Sequence, residues 1–263
     1  MNIFSLLLKP FTDRIEAWKD RHEPARSANG WLIITHDGVA YTDYSSPAAQ
    51  SRQKYLIENL AAFDTKTQSF KGYYIQRRSH IDQIRQQINE YLANPANASK
   101  MLYLDTETTG LGNTDQAISI AIIDEDLTVI VDTRLMTTVD INPEAQKIHK
   151  ISKGDLLEYP YFVDIEHDIK RLLDGRQVGI YNADFDTRIL RQSASYGMTF
   201  NFKPFCVMKE AMMLLTKNDR WLKLVDACKL TGVTLDNAHD ALADAIATAK
   251  VHAVMKEMDE HIF

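Results

Sequence analysis

The spacing of hydrophobic positions after residue 100 predicts a sheet with helices packed on it. The apolar segment MLYL, residues 101–104, is typical of a buried strand. Two further apolar runs, AISIAIID at 117–124 and TVIVDTRL at 128–135, are joined by an acidic turn at 124–126. Three such runs with short connections predict an antiparallel meander.

The rest of this region alternates between helix and strand patterns. Pro160 precedes a helix with apolar positions on one face, namely Phe162, Ile165, Ile169, Leu172 and Leu173. QVGIY at 177–181 predicts another buried strand, and helices are expected over most of 184–258. The expected fold class is therefore α/β.

The first hundred residues predict a separate, smaller α+β unit. WLIITHDGVAYTD at 31–43 predicts a hairpin with its turn at Asp37-Gly38. A helix is expected over 46–63, an extended segment at KGYYIQR, 71–77, and a second helix over 80–92.

A run of small and polar residues with one proline, ANPANAS at 93–99, interrupts the pattern and predicts a linker. We therefore expect two domains. Residues 1–99 form the small α+β domain of unknown role, and residues 100–263 form the α/β domain.

Composition indicates a globular protein in a reducing compartment. The chain has 263 residues, 45% of them hydrophobic, which suffices for a packed core. Cys206 and Cys228 are its two cysteines, so neither a zinc cluster nor a disulfide framework is indicated, and a cytoplasmic location is expected. The opening MNIFSLLLKPF lacks a basic region before its short apolar run, which predicts a packed or amphipathic segment and no membrane partner.

Charge is distributed unevenly along the chain. Residues 1–100 contain 13 Lys and Arg against 10 Asp and Glu, whereas the remainder contains 17 against 26. A net negative region attracts a polyanion weakly. Nucleic-acid binding there would need local basic groups or cations that neutralise the acids.

Two acids end the first predicted strand of the α/β domain. Asp105 and Glu107 are separated by one residue, so in an extended chain their side chains point to the same face. Paired carboxylates need solvent, protonation or a cation to relieve their repulsion, and Mg²⁺ prefers such oxygen ligands. The alternative is an acidic strand end exposed to water.

Two more acidic clusters follow at predicted helix starts. NADFD at 182–186 places Asp184 and Asp186 after a strand, where either could simply cap the helix. DNAHDALADA at 236–245 contains Asp236, His239, Asp240 and Asp244, and an exposed acidic stripe with a surface histidine is the alternative there.

Taken in order, DTETTG, NADFD and His239-x4-Asp244 resemble the three motifs of the DEDDh 3′-to-5′ exonucleases. This family includes the proofreading subunit of bacterial DNA polymerase III and RNase T. The resemblance covers roughly residues 101–255. It implies a ribonuclease H-like fold with a mixed five-stranded sheet and flanking helices.

The resemblance also implies roles for individual residues. Two divalent ions, Mg²⁺ or Mn²⁺, would be bound by Asp105, Glu107, Asp186 and Asp244, with His239 as general base and with Asp184 and Asp240 as bystanders. Substrate contacts are expected from Thr108, Gly110, Leu111, His149 and Phe185. IHKI at 148–151 departs from the Ile-His-Gly-Ile common in relatives, because Lys150 replaces the glycine.

The expected activity is metal-dependent hydrolysis of nucleic acid from its 3′ end, releasing nucleoside 5′-monophosphates. DTETTG resembles the proofreading branch, which favours single-stranded DNA over RNA. The alternatives are an exoribonuclease that trims RNA and a noncatalytic subunit that binds nucleic acid. KGYYIQRRSH interleaves Tyr73 and Tyr74 with Arg77 and Arg78, which fits nucleic-acid binding, a structural strand or a protein-partner surface in the first domain.

Overall fold

The computed structural model of the protein describes residues 31–32, 42–43, 69–216 and 220–260. The chain divides into two compact units, Met1–Ile75 and Gln76–Phe263. In the first unit, strand β1 (Trp31–Leu32) pairs antiparallel with β2 (Thr42–Asp43), with Trp31 opposite Asp43. This pairing agrees with the ends of the predicted hairpin. The Asp37-Gly38 turn, the expected helix at 46–63 and the opening segment lie outside the described residues.

Helix α1 (Ser69–Ala93) covers both the expected second helix and the segment expected to be extended. The prediction of an extended KGYYIQR is therefore wrong. Elongating an existing helix needs no new nucleus, and this advantage outweighs the strand preference of two adjacent tyrosines.

Arg77, at the end of that segment, and Arg78, directly after it, make contacts within the second unit. Arg77 donates from Nε to the carbonyl of Leu157 over 2.9 Å, and its guanidinium lies 5.2 Å from the ring centroid of Tyr161. Arg78 donates to Asp82. These contacts favour a structural role for the two arginines over the nucleic-acid and protein-partner alternatives.

The second unit contains a five-stranded sheet in the order β5, β4, β3, β6, β7. The strands are β3 (Leu102–Thr108), β4 (Ala117–Asp124), β5 (Val129–Arg134), β6 (Gln177–Ile180) and β7 (Lys203–Cys206). β3 pairs antiparallel with β4 and parallel with β6, β4 pairs antiparallel with β5, and β6 pairs parallel with β7. The predicted meander and the expected mixed five-stranded sheet are confirmed.

Strand β7 lies where helices were expected. Its sequence, KPFC, contains a proline and no apolar alternation, and its first two residues are exposed. A proline is tolerated in an edge strand, where its missing N–H breaks no ladder. Pairing with β6 creates this strand, which explains why its own pattern does not predict it.

Helices surround this sheet. They are α2 (Pro143–His149), α3 (Phe162–Leu173), α4 (Ala183–Ser193), α5 (Val207–Ala211), α6 (Leu224–Thr231) and α7 (Ala241–Glu260). Short 3₁₀ turns occupy Pro95–Asn97 and Lys153–Leu156, and a π-helical turn occupies Met212–Thr216. All five apolar positions predicted for α3 are buried. Within the described residues, no helix combines the length and apolar composition that a membrane span requires.

Helix α1 is part of the core of the second unit. Ile84, Ile88 and Tyr91 are buried in the same cluster as residues of β3, β4, α3 and α4. The segment expected to be a linker forms a packed turn, in which the buried Asn97 donates to the carbonyl of Tyr91 over 3.0 Å. A domain division at residues 99 and 100 stays a prediction, and this packing favours a division before Gln76.

Replacing Ile88, which is fully buried in this cluster, tests whether α1 belongs to the core. Ile88→Ala should lower the free energy of unfolding by about 2–5 kcal/mol, because it leaves a cavity between α1 and its neighbours. Gln87→Ala, one position away and exposed, is the control for helix propensity. Equal unfolding free energies for the two variants in urea denaturation would contradict this packing.

Candidate active site

Three chain segments bring acidic side chains to one edge of the sheet. Asp105 and Glu107 lie at the end of β3, Asp186 lies in the first turn of α4, and Asp244 lies in the first turn of α7. Because β6 runs parallel to β3 and leads directly into α4, the start of α4 lies beside the end of β3. The sheet thus brings together residues far apart in sequence.

Asp186 points away from its own helix and towards β3. Its Oδ1 accepts hydrogen bonds from the backbone N–H of Thr106 over 3.1 Å and from Thr106 Oγ1 over 2.7 Å. Asp186 is 4% exposed. Thr106 was not predicted as a site residue, although its place between the two acids of β3 is the signal that sequence offers. It fixes the orientation of a carboxylate from another segment.

Asp244 is held by the backbone of His239. The N–H of His239 donates to Asp244 Oδ2 over 3.2 Å, whereas Oδ1 is buried and has no hydrogen-bond partner among the described residues. One potential ligand atom each from Glu107, His239 and Asp244 lies within 4.8 Å of the others. A buried carboxylate oxygen without a hydrogen-bond partner is suited to bind a cation.

The segment before α7 turns sharply to present His239. Asn237 and His239 have left-handed backbone conformations, with φ of 55° and 70°, and His239 is exposed. Asp240 precedes α7 instead of sharing a helical face with Asp244, and its Oδ1 accepts the N–H of Ala243 over 3.1 Å. Asp240 therefore caps α7.

Burial and mutual repulsion raise the pKa values of the clustered carboxyl groups. The pKa of Asp105 lies well above its usual range because of burial and then of the charges of Asp186 and Asp244. Burial, followed by the charge of Asp244, raises the pKa of Glu107 to about 8. Burial also raises the pKa of Asp186 to about 7 and that of Asp244 to about 6. Ionising all four groups therefore requires a compensating positive charge.

Asp184 lies outside this cluster. Its side chain is 79% exposed and forms an ion pair with Lys209 Nζ over 2.8 Å. It is only two residues from the buried Asp186, so the two acids of NADFD have different environments.

Sequence comparison agrees with the geometry of these acids. Residues 102–252 match the profile of the RNase T family, described as exonucleases. The chain belongs to this exonuclease family. The resemblance to the DEDDh 3′-to-5′ exonucleases, the expected ribonuclease H-like fold and the prediction of an enzyme are thereby confirmed.

Individual relatives cover the exonuclease domain to different extents. The chain is 35% identical over 163 residues to the uncharacterized exonuclease CP81 of Escherichia phage 186. This alignment covers 56% of this chain and 83% of the phage protein. The chain is 29% identical over 165 residues to the 3′-5′ exonuclease DinG of Staphylococcus saprophyticus, covering 60% of this chain but 18% of DinG. Escherichia coli Exonuclease I in complex with a dT13 oligonucleotide has a similar fold, with a TM-score of 0.52 and 21% identity over 63% of this chain and 42% of Exonuclease I.

The turn after the acidic strand of the exonuclease is tightly constrained. Thr108 Oγ1 donates to the carbonyl of Gly110 over 2.8 Å. A Cβ at Gly110 would lie 2.7 Å from Asp115 Oδ2, so a larger residue there would displace the Asp115 carboxylate, which accepts from Thr109 Oγ1 and from the N–H of Gly112. Leu111 is 79% exposed beside these residues. The predicted substrate residues Thr108, Gly110 and Leu111 thus form one rigid turn.

Two side chains of α4 hold this turn against the site. Arg188 donates from Nη1 to the carbonyl of Gly112 over 2.6 Å and from Nη2 to that of Leu111 over 3.2 Å. Gln192 Nε2 donates to the carbonyl of Asp115 over 2.7 Å. Sequence reasoning missed Arg188 and Gln192, because nothing local links them to a turn more than seventy residues earlier.

The other two predicted substrate residues occupy separate positions. Phe185 is half-buried, packs against the core, and has the Arg188 guanidinium 5.3 Å from its ring centroid. His149 ends α2 and is buried, with its Nδ1 accepting the N–H of Ile151 over 3.0 Å. Burial lowers the pKa of His149. Lys150, which follows α2, has a left-handed backbone with φ of 63°, a conformation that glycine adopts without strain.

Crowding of these carboxylates predicts a pH-dependent stability for the metal-free enzyme. An acid with a raised pKa in the folded state costs stability as pH rises from its unfolded value of about 4, because the folded state then binds more protons than the unfolded state. For Glu107 this window extends to a pKa of about 8. In EDTA, Asp105→Asn should therefore unfold at a higher temperature than wild type, by a margin that grows with pH across this window.

Asp184→Asn is the matched control, because Asp184 is exposed and ion-paired, and it should follow the wild-type curve. Excess Mg²⁺ should stabilise wild type more than Asp105→Asn, since binding to the folded state raises its stability. Thermal melts across this pH range provide the measurement. A difference in unfolding temperature between wild type and Asp105→Asn that does not change with pH would contradict repulsion among these carboxylates.

Proposed function

We propose that the exonuclease removes nucleotides from the 3′ end of single-stranded DNA with the help of two divalent cations, Mg²⁺ or Mn²⁺, and releases nucleoside 5′-monophosphates. The observation that carries this proposal is the convergence of Asp105, Glu107, Asp186 and Asp244 from three segments, with raised pKa values. Such a group of carboxylates is costly to maintain unless cations bind there.

The donor set fits hard cations. It offers carboxylate oxygens and no cysteine sulfur, and the buried Oδ1 of Asp244 has no hydrogen-bond partner in the described part of the chain. Oxygen donors of this kind suit Mg²⁺ and Mn²⁺. Asp105, Glu107, Asp186 and Asp244 would hold the ions, and bound ions of this type activate water and stabilise the charge that develops on the leaving oxygen.

Other residues of the chain orient a metal ligand and accept the proton of the attacking water. Thr106 holds the Asp186 carboxylate in one orientation through two hydrogen bonds. His239 is exposed beside Glu107 and Asp244, so a ring nitrogen can accept the proton of the attacking water and pass it to solvent. The family resemblance supports this assignment of His239 as general base.

The substrate would enter beside the turn after β3. The exposed side chain of Leu111 and the half-buried ring of Phe185 offer apolar surfaces to the terminal nucleotide, while Thr108 and Gly110 shape the turn. The family resemblance supports a contact of His149 with the same nucleotide. DNA is favoured by the likeness of DTETTG to the proofreading branch, and RNA is the second candidate. A protein partner for residues 1–99 completes the proposal, and a tether to a replication or repair complex is one example.

Digestion of end-labelled strands tests polarity and sugar preference together. With Mg²⁺, a 5′-labelled single strand of DNA should shorten progressively, whereas a 3′-labelled strand should release its label at once as a mononucleotide. EDTA should abolish both results. The same sequence as duplex DNA and as RNA completes the set, and faster trimming of RNA would transfer the proposal to an exoribonuclease.

Two neighbouring acids of α4 provide a matched pair for the same assay. Asp186→Asn should lower the exonuclease activity by more than roughly 10–100-fold. Losses in that range are typical when a residue that only orients a metal ligand is replaced, whereas this change removes a ligand. Asp184→Asn, two residues away and exposed, should retain most activity. Equal losses in the two variants would contradict the assignment of ligand and bystander.

Replacing His239 separates chemistry from binding. His239→Ala should lower kcat by about 10²- to 10⁴-fold, because a general base contributes in that range. Binding of DNA and Mn²⁺ should stay close to wild type. His167→Ala, an exposed histidine on α3, is the control. A wild-type kcat for His239→Ala would exclude its role as general base.

A further inference from the structure

A buried hydrogen bond joins β3 to α7 behind the acidic cluster. The Tyr103 hydroxyl and His252 Nδ1 lie 2.6 Å apart, and both residues are 3% exposed. His252 Nε2 lies 3.5 Å from Oε2 of Glu210, on α5. With Nε2 carrying the proton towards this carboxylate, Nδ1 is the acceptor and Tyr103 donates. Burial also lowers the pKa of His252 to about 4, which keeps the ring neutral.

Tyr103, Asp105 and Glu107 form one row of side chains on β3, and Asp244 and His252 belong to a second row on α7. Tyr103 shares a face of β3 with Asp105 and Glu107, since alternate residues of a strand point the same way. On α7, Asp244 and His252 are eight residues apart and therefore lie on one face.

The two rows have nearly equal lengths. Tyr103 to Glu107 spans about 13 Å in an extended strand, and Asp244 to His252 spans about 12 Å along a helix. Tyr103 meets His252 at one end, and potential ligand atoms of Glu107 and Asp244 lie within 4.8 Å of each other at the other end. The distance along α7 is therefore matched to the distance along β3.

Alanines allow α7 to lie close to β3 and β4. Ala241, Ala245 and Ala249 of α7 pack with Met101, Tyr103, Ala121 and Ile123, and the partly buried Leu242 and Ile246 of α7 pack against the same cluster. Thr248, midway between Asp244 and His252, is buried, and its Oγ1 has no hydrogen-bond partner among the described residues. A hydrogen bond is directional, so the bond between Tyr103 and His252 adds a constraint on register that apolar contacts do not supply.

We propose that Tyr103 and His252 are positioning residues that set the register of α7 on β3 and thereby hold Asp244 at the distance from Glu107 that cation binding requires. This inference rests on the proposed metal-dependent function. The pair acts through the backbone of the two elements and touches no substrate.

Calorimetric titration of Mn²⁺ into the full chain, without nucleic acid, tests this role. Tyr103→Phe removes only the hydroxyl and should weaken Mn²⁺ binding by about 10–100-fold, as changes around a metal site typically do. Its kcat should fall, while KM for single-stranded DNA stays unchanged. The control is Tyr91→Phe, which also removes a buried tyrosine hydroxyl, one that donates to Asp124 Oδ2 over 3.2 Å. Asp124 pairs with Leu102, at the end of β3 away from Glu107, and this bond does not involve α7. The Mn²⁺ affinity of Tyr91→Phe should equal that of wild type.

Variants of His252 test the same bond from the other side. His252→Asn retains an acceptor near the position of Nδ1 and should keep most Mn²⁺ affinity, whereas His252→Leu should lose it. The double variant Tyr103→Phe/His252→Leu should bind no worse than His252→Leu alone, because both changes remove one interaction.

The outcomes separate the two proposals. If wild type binds Mn²⁺ and Tyr103→Phe binds it equally well, the positioning role is wrong while the metal-dependent function stands. If Tyr103→Phe does not fold, equal Mn²⁺ affinities of His252→Asn and His252→Leu overturn the positioning role. If wild type itself binds no Mn²⁺, both the proposed function and this inference are wrong.

Discussion

Repulsion among four carboxylates at the end of one central strand is the constraint on which this structure depends. Burial raises the pKa values of Asp105, Glu107 and Asp186, and the charges of neighbouring acids, Asp244 among them, raise these pKa values further. An isolated helix or hairpin would relieve this repulsion by moving its acids into water. Here the acids stay together because the strand or helix that carries each acid is fixed by packing outside the site.

The scaffold supplies that opposing force. β3 lies in the middle of the sheet, and six of its seven residues are buried. Thr106 holds Asp186, the N–H of His239 holds Asp244, and Asp240 caps the helix that carries Asp244. These contacts use backbone donors and a hydroxyl instead of cations. The negative charge of the site is therefore left for a ligand to neutralise, which fits cation-dependent chemistry on a polyanion.

Local patterns were sufficient for the elements that carry the acids. The apolar run MLYL and the two apolar runs after it predict β3 and the meander. The resemblance of DTETTG, NADFD and His239-x4-Asp244 to the DEDDh motifs predicts which acids belong to the site. Sequence patterns did not predict features that depend on a residue or strand elsewhere in the fold. β7 forms only by pairing with β6, α1 extends through two tyrosines because a helix is already present, and Arg188 reaches a turn that no local pattern connects to it. Thr106 stands between the two acids, but its bond to Asp186 follows from the fold.

Anomalous diffraction from crystals soaked in MnCl₂ shows whether the clustered carboxylates bind cations, because it locates Mn²⁺ without relying on activity. Two anomalous peaks are expected among the carboxylates of Asp105, Glu107, Asp186 and Asp244, roughly 3.5–4 Å apart as in two-metal sites. Crystals of Asp186→Asn should lose at least one peak, whereas Asp184→Asn should keep both. Strong Mn²⁺ peaks elsewhere in wild-type crystals, with none among these four residues, would show that the acids do not form the metal site.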